Sequence, residues 1–170
     1  DSGGYCIGGA GIPVCLDGQE AGVNYELYFN GTPTGLFTGG LPGGFCFNPQ
    51  TAAGNYTVVA TTIGGGCSET MSGSAHVFVN PLPNPFNVTG GGSYCIGGAG
   101  RPVGLSSSQN DVTYTLWFDG SPILPAQTVA GTGGAVNFGN QTAAGTYTVH
   151  AQNDTTLCEN TMTGSVDITI

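Results

Sequence analysis

The side chains of this 170-residue sequence that can do chemistry are few: six cysteines, two histidines and ten acids. The cysteines stand at positions 6, 15, 46, 67, 95 and 158, and no C-x-x-C or C-x-x-H spacing occurs, which disfavours tetrahedral zinc. Cysteines in a chain this poor in charge point instead to disulfides and an oxidising compartment. His76 and His150 are isolated, and no G-x-S-x-G stretch supplies a nucleophile for them to activate. Asp17, Glu20, Glu26, Glu69, Asp111, Asp119, Asp154, Glu159 and Asp167 are scattered and form no D-x-D-x-D-G calcium loop. Glycine-rich stretches such as GGAG read as turns, because a phosphate-binding loop ending in Lys needs a Lys and there is none. The residues therefore predict a non-enzymatic protein with no catalytic residues, no cofactor and no metal.

Charge narrows the partners. The net charge is −9, with Arg101 the only cation. Nucleic acid needs clustered Lys and Arg, and so does docking on an anionic membrane surface. No apolar run approaches the roughly 20 residues that span a bilayer. The sequence starts at Asp1 with no leader-like segment, as a processed chain or an excised piece would. Sequons at Asn30, Asn55, Asn87, Asn140 and Asn153 permit surface glycosylation of a secreted protein.

A repeat organises the rest. YCIGGAGIPV at 5–14 returns as YCIGGAGRPV at 94–103, and QTAAGNYTV at 50–58 returns as QTAAGTYTV at 141–149. NYELYFNG pairs with TYTLWFDG, and MSGSAHVFV with MTGSVDITI. The offset grows from 89 to 91, so a two-residue insertion lies between about 121 and 140 of the second copy. The predicted boundaries are a first domain at 1–79, a proline-rich linker at 80–86 (NPLPNPF) and a second domain at 87–170. The segments YELYF, NYTVVATT and AHVFV, with their second-copy mates, alternate as half-buried strands do. About seven short strands per copy, separated by Gly, Pro, Asn and Asp, predict an all-β chain of two tandem immunoglobulin-like β-sandwich domains, with a small jelly roll as the alternative. Tyr56 and Tyr147, in G-x-Y-x-V, are placed like tyrosine corners.

The repeat also constrains the cysteines. Cys6 matches Cys95, and Cys67 matches Cys158. Cys15 and Cys46 align with Gly104 and Asn137, so the second copy lacks both at once. The simplest pairing is Cys6–Cys67, Cys95–Cys158 and Cys15–Cys46, with bonds from Cys15 and Cys46 to other chains as the alternative.

Strand alternation divides inward from outward residues. Tyr25, Leu27 and Phe29, then Tyr56, Val58 and Ala60, then Ala75, Val77 and Val79 face the core of the first copy. Tyr28, Val59 and Phe78 are left on one outer face, a candidate interface, and Trp117, His150 and Thr169 hold the same places in the second copy. PFNVTGGGS gives the second copy a first strand at 86–89, where the first copy has only DSGG. The first copy is thus predicted to lack that strand and to expose a sheet edge to another chain.

The combination YCIGGAG-x-PVGL, a tyrosine-rich strand ending in N/D-G, FGNQTAAGTYTV and C-x-x-TM-x-GS resembles immunoglobulin-like repeats of secreted, surface-attached proteins of Bacteroidetes-type bacteria. The resemblance implies an extracellular or cell-surface stalk, adhesin arm or fibre-forming unit, and O-glycosylation at Thr155 in Asp154-Thr155-Thr156. The leading expectation is a filament subunit that associates with itself. An adhesin arm contacting glycans or cell-surface proteins, with Trp117, His150 and Asp119 as its platform, is the alternative. A third reading is an accessory domain of a larger secreted enzyme.

Overall fold

The structure is a computed structural model and describes residues 2–40 and 43–170. The chain divides into two units, Asp1–Asn80 and Pro81–Ile170.

The first unit contains β1 (Gly3–Cys6), β2 (Ile12–Leu16), β3 (Val23–Phe29), β4 (Thr32–Gly39), β5 (Phe45–Gln50), β6 (Gly54–Thr62), β7 (Ser68–Thr70) and β8 (Ala75–Asn80). Its major sheet runs β1-β8-β6-β3-β4, with β7 also on β6; β2 and β5 form a separate two-stranded sheet. Alternate residues of β3, β6 and β8 point between the sheets: Val23, Tyr25 and Leu27; Tyr56, Val58 and Ala60; Ala75 and Val77. They meet Val14 and Phe47 from the small sheet. Removing a leucine such as Leu27 from water contributes about 1.5–3 kcal/mol. This is the period-two pattern of the sequence expressed as a sandwich core.

The second unit contains β9 (Val88–Gly90), β10 (Gly92–Ser93), β11 (Arg101–Leu105), β12 (Val112–Phe118), β13 (Ser121–Pro122), β14 (Thr128–Ala130), β15 (Val136–Gln141), β16 (Gly145–Asn153), β17 (Glu159–Thr161) and β18 (Val166–Thr169). Its major sheet runs β10-β18-β16-β12-β13, with β14 on β12 and β17 on β16. The second sheet has three strands, β15-β11-β9. The two-residue insertion falls where continuous β4 is replaced by the separate strands β13 and β14.

Two differences from the sequence reading matter. The first unit does have an opening strand on its major sheet: β1 pairs parallel with β8, Gly3 opposite Val77 and Cys6 opposite Asn80. GGYC carries no apolar alternation, so nothing in the sequence announced it. The predicted absence does hold for the 86–89 strand: among the described residues the first unit has no counterpart of β9 on its small sheet. The proline-rich segment is also more than a spacer. Asn160 Nδ2 donates to the Pro83 carbonyl at 2.7 Å, Thr163 N donates to the Phe86 carbonyl at 2.8 Å, and the Asn84 N–H donates to Gln109 Oε1. Residues 81–86 are therefore the lead-in of the second unit.

Candidate functional site

Each unit has two poles. The trailing pole is where its last strand ends: Asn80 with Cys6 in the first unit, and Thr169 with Ser93 and the neighbouring Cys95 in the second. The leading pole is the hairpin that closes the long strand: Thr62 N donates to the Cys67 carbonyl at 3.0 Å, and Asn153 N to the Cys158 carbonyl at 2.9 Å.

This geometry corrects two of the three predicted bridges. Gly54 faces Val77, so Cys6 lies three positions past one end of β6, while Cys67 lies at the other end. At about 3.3 Å per residue the two cysteines are roughly 30 Å apart, whereas a disulfide needs Cα atoms within about 7 Å. The same separation holds for Cys95 and Cys158. Cys67 and Cys95 are exposed thiols, while Cys6 and Cys158 are each disulfide-bonded. The third bridge is present: Cys15 and Cys46 face each other across β2 and β5 with Cα atoms 3.9 Å apart. In the second unit Gly104 faces Asn137 at that place, and a Cβ on Gly104 would fall 2.4 Å from the Val136 carbonyl oxygen. One copy staples this seam covalently; the other closes it backbone to backbone and adds β9.

Tyrosines hold the loops around both units. The Tyr56 and Tyr147 hydroxyls donate to the carbonyls of Ala52 and Ala143, each at 2.9 Å, in the geometry of a tyrosine corner. The Tyr25 and Tyr114 hydroxyls accept from the N–H groups of Glu20 and Gln109 at 2.8 and 2.9 Å. Tyr5 donates to the Thr51 carbonyl at 2.5 Å, and Tyr94 donates to that of Thr142. The sequence pattern marked only the first pair. The second and third occur at matched repeat positions, which was the available signal.

Burial pushes the hydroxyls of Tyr56, Tyr114 and Tyr147 above 10.0, with the backbone hydrogen bonds pulling partly the other way. A raised folded-state value favours the neutral phenol. The associated stability is complete below the unfolded value near pH 10 and is lost as pH rises through the folded value. Denaturant melts at about pH 8 and about pH 11 are expected to show a loss at the higher pH that Tyr147→Phe reduces for the second unit.

The outer faces behave differently from the prediction. Tyr28 faces Thr57, Val59 faces Glu26 and Thr70, and Phe78 lies over Gly4 of β1, beyond the end of β6. Tyr28 and Val59 are diagonal neighbours, but Phe78 is on the far side of β6, its ring tilted 31° against that of His76 with centroids 5.9 Å apart. The three form no cluster. In the second unit Trp117 and His150 do meet, stacked at 4.0 Å and 22°. Pro122 faces Trp117 from the other neighbouring strand, and Trp117, Pro122 and His150 line a recess of about 230 Å³ together with Gln152 and Glu159. Asp119 caps the turn instead, its Oδ1 accepting from Thr146 N at 2.9 Å, and Thr169 pairs with Ser93 through their hydroxyls at 2.7 Å. Arg101 Nε donates to the Ser93 carbonyl at 2.7 Å, pinning β10. Asn30, Asn55, Asn87, Asn140 and Thr155 are exposed; Asn153 is half-buried, with its Oδ1 accepting from Thr155 and Thr156. No group of three or more His, Cys, Asp or Glu that could hold a metal occurs among the described residues.

A slot lies in the first unit where the second unit carries a strand. In the second unit Phe86 and Val88 pack against the core, β9 pairs with Val103–Leu105 of β11, and Val88 N donates to the Thr163 carbonyl at 2.9 Å. That strand thus bridges the two sheets. In the first unit the equivalent edge of β2 has no strand beside it among the described residues. A groove of about 170 Å³ lies there, lined by Val14, Leu16, Met71 and Ser72 among others. It adjoins a recess of about 530 Å³ at the leading pole, where Val23, Tyr25, Cys67 and Met71 form part of the wall. Met71 lines both.

No protein-family model matches the chain, and no curated protein matches it. Solved structures do. The N-terminal eight immunoglobulin domains of Down Syndrome Cell Adhesion Molecule are 16% identical at a TM-score of 0.50; the match covers 95% of this chain and 25% of that one. The human OSCAR ligand-binding domain is 15% identical, TM-score 0.40, covering 88% and 85%. The fibronectin(III)-like modules of CbhA from Clostridium thermocellum are 13% identical, TM-score 0.45, covering 98% and 89%. The chain thus spans a quarter of the adhesion-molecule structure, and that likeness joins the strand order in making both units immunoglobulin-like sandwiches.

Proposed function

We propose that this chain is a non-enzymatic structural protein of the cell exterior, a subunit of a fibre or surface layer. Its first unit takes an extended segment from an adjoining module into the slot beside β2. The observation that carries the reading is the open edge of β2, whose counterpart in the second unit holds Phe86–Gly90. An unpaired strand edge templates main-chain pairing, and alternate side chains of the incoming strand fill the pockets. The occupant is a strand with large apolar residues two positions apart, as Phe86 and Val88 are. The resemblance to surface modules of Bacteroidetes-type bacteria supports an exterior location, as does the Cys15–Cys46 bond. A chain with no Lys and one Arg also offers trypsin-like proteases little.

A synthetic peptide of residues 84–91 tests this. Added to the full chain, it is expected to slow hydrogen exchange of the β2 amides and to suppress fibres seen by electron microscopy; the same peptide with Val88→Asp should do neither. Equal behaviour of the two peptides, together with a strictly monomeric chain at high concentration, would overturn the reading.

A further inference from the structure

The four cysteines that the repeat shares are in two states. Cys6, at the trailing pole of the first unit, and Cys158, at the leading pole of the second, are disulfide-bonded. Their repeat mates are thiols: Cys95 at a trailing pole and Cys67 at a leading pole. Covering follows the same division. Cys158 is 0% exposed and Cys6 is half-buried, whereas Cys67 and Cys95 are both exposed. The thiols left over are therefore one of each kind, on surfaces whose mates are already oxidised and covered.

The surroundings of the two thiols add a second line. Beside Cys95 stands Ile96, the most exposed large apolar side chain of the described residues at 89%. Cys67 lines the 530 Å³ recess, with the apolar side chains of Val23 and Met71 in its wall, and Ile63 in the same turn is 64% exposed. A projecting isoleucine next to one thiol and a concave recess of mixed lining around the other, with Glu20 and Glu69 beside Val23 and Met71, are unlike surfaces. They suit a head-to-tail contact, and such a contact repeats without closing on itself.

We infer that Cys95 of one copy and Cys67 of the next form a disulfide that joins copies end to end. The inference rests on the fibre reading for its partner, a second copy of this chain, and adds a covalent bond to it. The reaction is thiol–disulfide exchange with an external disulfide, of a dithiol oxidoreductase or of glutathione. One protein thiolate opens the external S–S bond to a mixed disulfide, and the second displaces the remaining thiol. One S–S bond forms, one is broken, and the two protons lost by Cys67 and Cys95 end on the reduced oxidant.

The test mixes two variants of the full chain, Cys67→Ser and Cys95→Ser, under glutathione disulfide. Each is expected to stay short of a ladder alone. The mixture should give one dimer on a non-reducing gel, with a Cys95–Cys67 cross-linked peptide by mass spectrometry after chymotryptic digestion. The unsubstituted chain should give a ladder of multiples of 17.0 kDa that reductant collapses. A monomeric mixture, like-with-like bonds in statistical share, or a Cys67–Cys95 bond within one chain would each overturn the inference. Electron microscopy of the Cys67→Ser, Cys95→Ser double variant separates the two readings. Fibres that persist there, with no ladder from the unsubstituted chain, leave the fibre standing without the bond. A ladder without fibres leaves the bond standing without the fibre.

Discussion

Replacing Cys15 and Cys46 together by alanine should lower the stability of the first unit by about 3–4 kcal/mol and leave the second unit unchanged. The bond closes a loop of 31 residues, and in the chain-entropy model a loop of that length costs the unfolded chain roughly this much freedom. The effect should be local because, among the described residues, the small sheet of the first unit consists of β2 and β5. In the second unit the corresponding seam is the β11–β15 pairing alone, and β9 adds a third strand on the other edge of β11. Domain-resolved hydrogen exchange in denaturant measures the difference, since it reports β5 and β15 separately. Equal losses in both units, or a loss below about 1 kcal/mol, would show that the staple is not what holds the first seam.

A loss of comparable size is expected from Gly131→Ala. A Cβ on Gly131 would sit 1.6 Å from the carbonyl oxygen of Gln109, a backbone atom with no rotamer to escape into. That loop is fixed on both sides: Gly131 N donates to the Val112 carbonyl at 2.8 Å, and Gln109 N donates to the Tyr114 hydroxyl. The chain must either break these bonds or shift β14 off β12. The cost should therefore exceed about 3 kcal/mol, at the upper end of overpacking effects. Gly40 meets Glu20 in the same way at the same 1.6 Å, so Gly40→Ala should do to the first unit what Gly131→Ala does to the second. Gly139→Ala is the control. Its φ is +81° in open space, so only the left-handed backbone is strained, at about 1–2 kcal/mol. A thermal melt in which Gly131→Ala costs no more than Gly139→Ala would refute the steric account.

The sandwich was legible because both copies state it. Alternation in YELYF placed Tyr25 and Leu27 inside, and G-x-Y-x-V identified Tyr56 and Tyr147 as corners. What the sequence did not carry was distance along the sandwich. Matching Cys6 to Cys95 and Cys67 to Cys158 is sound as alignment, but it says nothing of which pole each occupies. That depends on the direction of β1, set by hydrogen bonds of glycines that leave no side-chain pattern. The outer face failed for a related reason. Alternation assigns a side of the sheet, while the level along it comes from register, and Phe78 is beyond the end of β6 where Tyr28 and Val59 are not.

The unequal seams also bear on how an assembly would grow. The second unit arrives complete, while the first holds a place for a strand it does not itself supply among its described residues. On the proposed fibre, elongation would be polar, the earliest joinings would be the slow ones, and a lag would precede growth, which pre-formed fragments would abolish. A short β9-like strand that occupies the slot without carrying a module behind it would terminate a fibre at that end, and its dose would set fibre length.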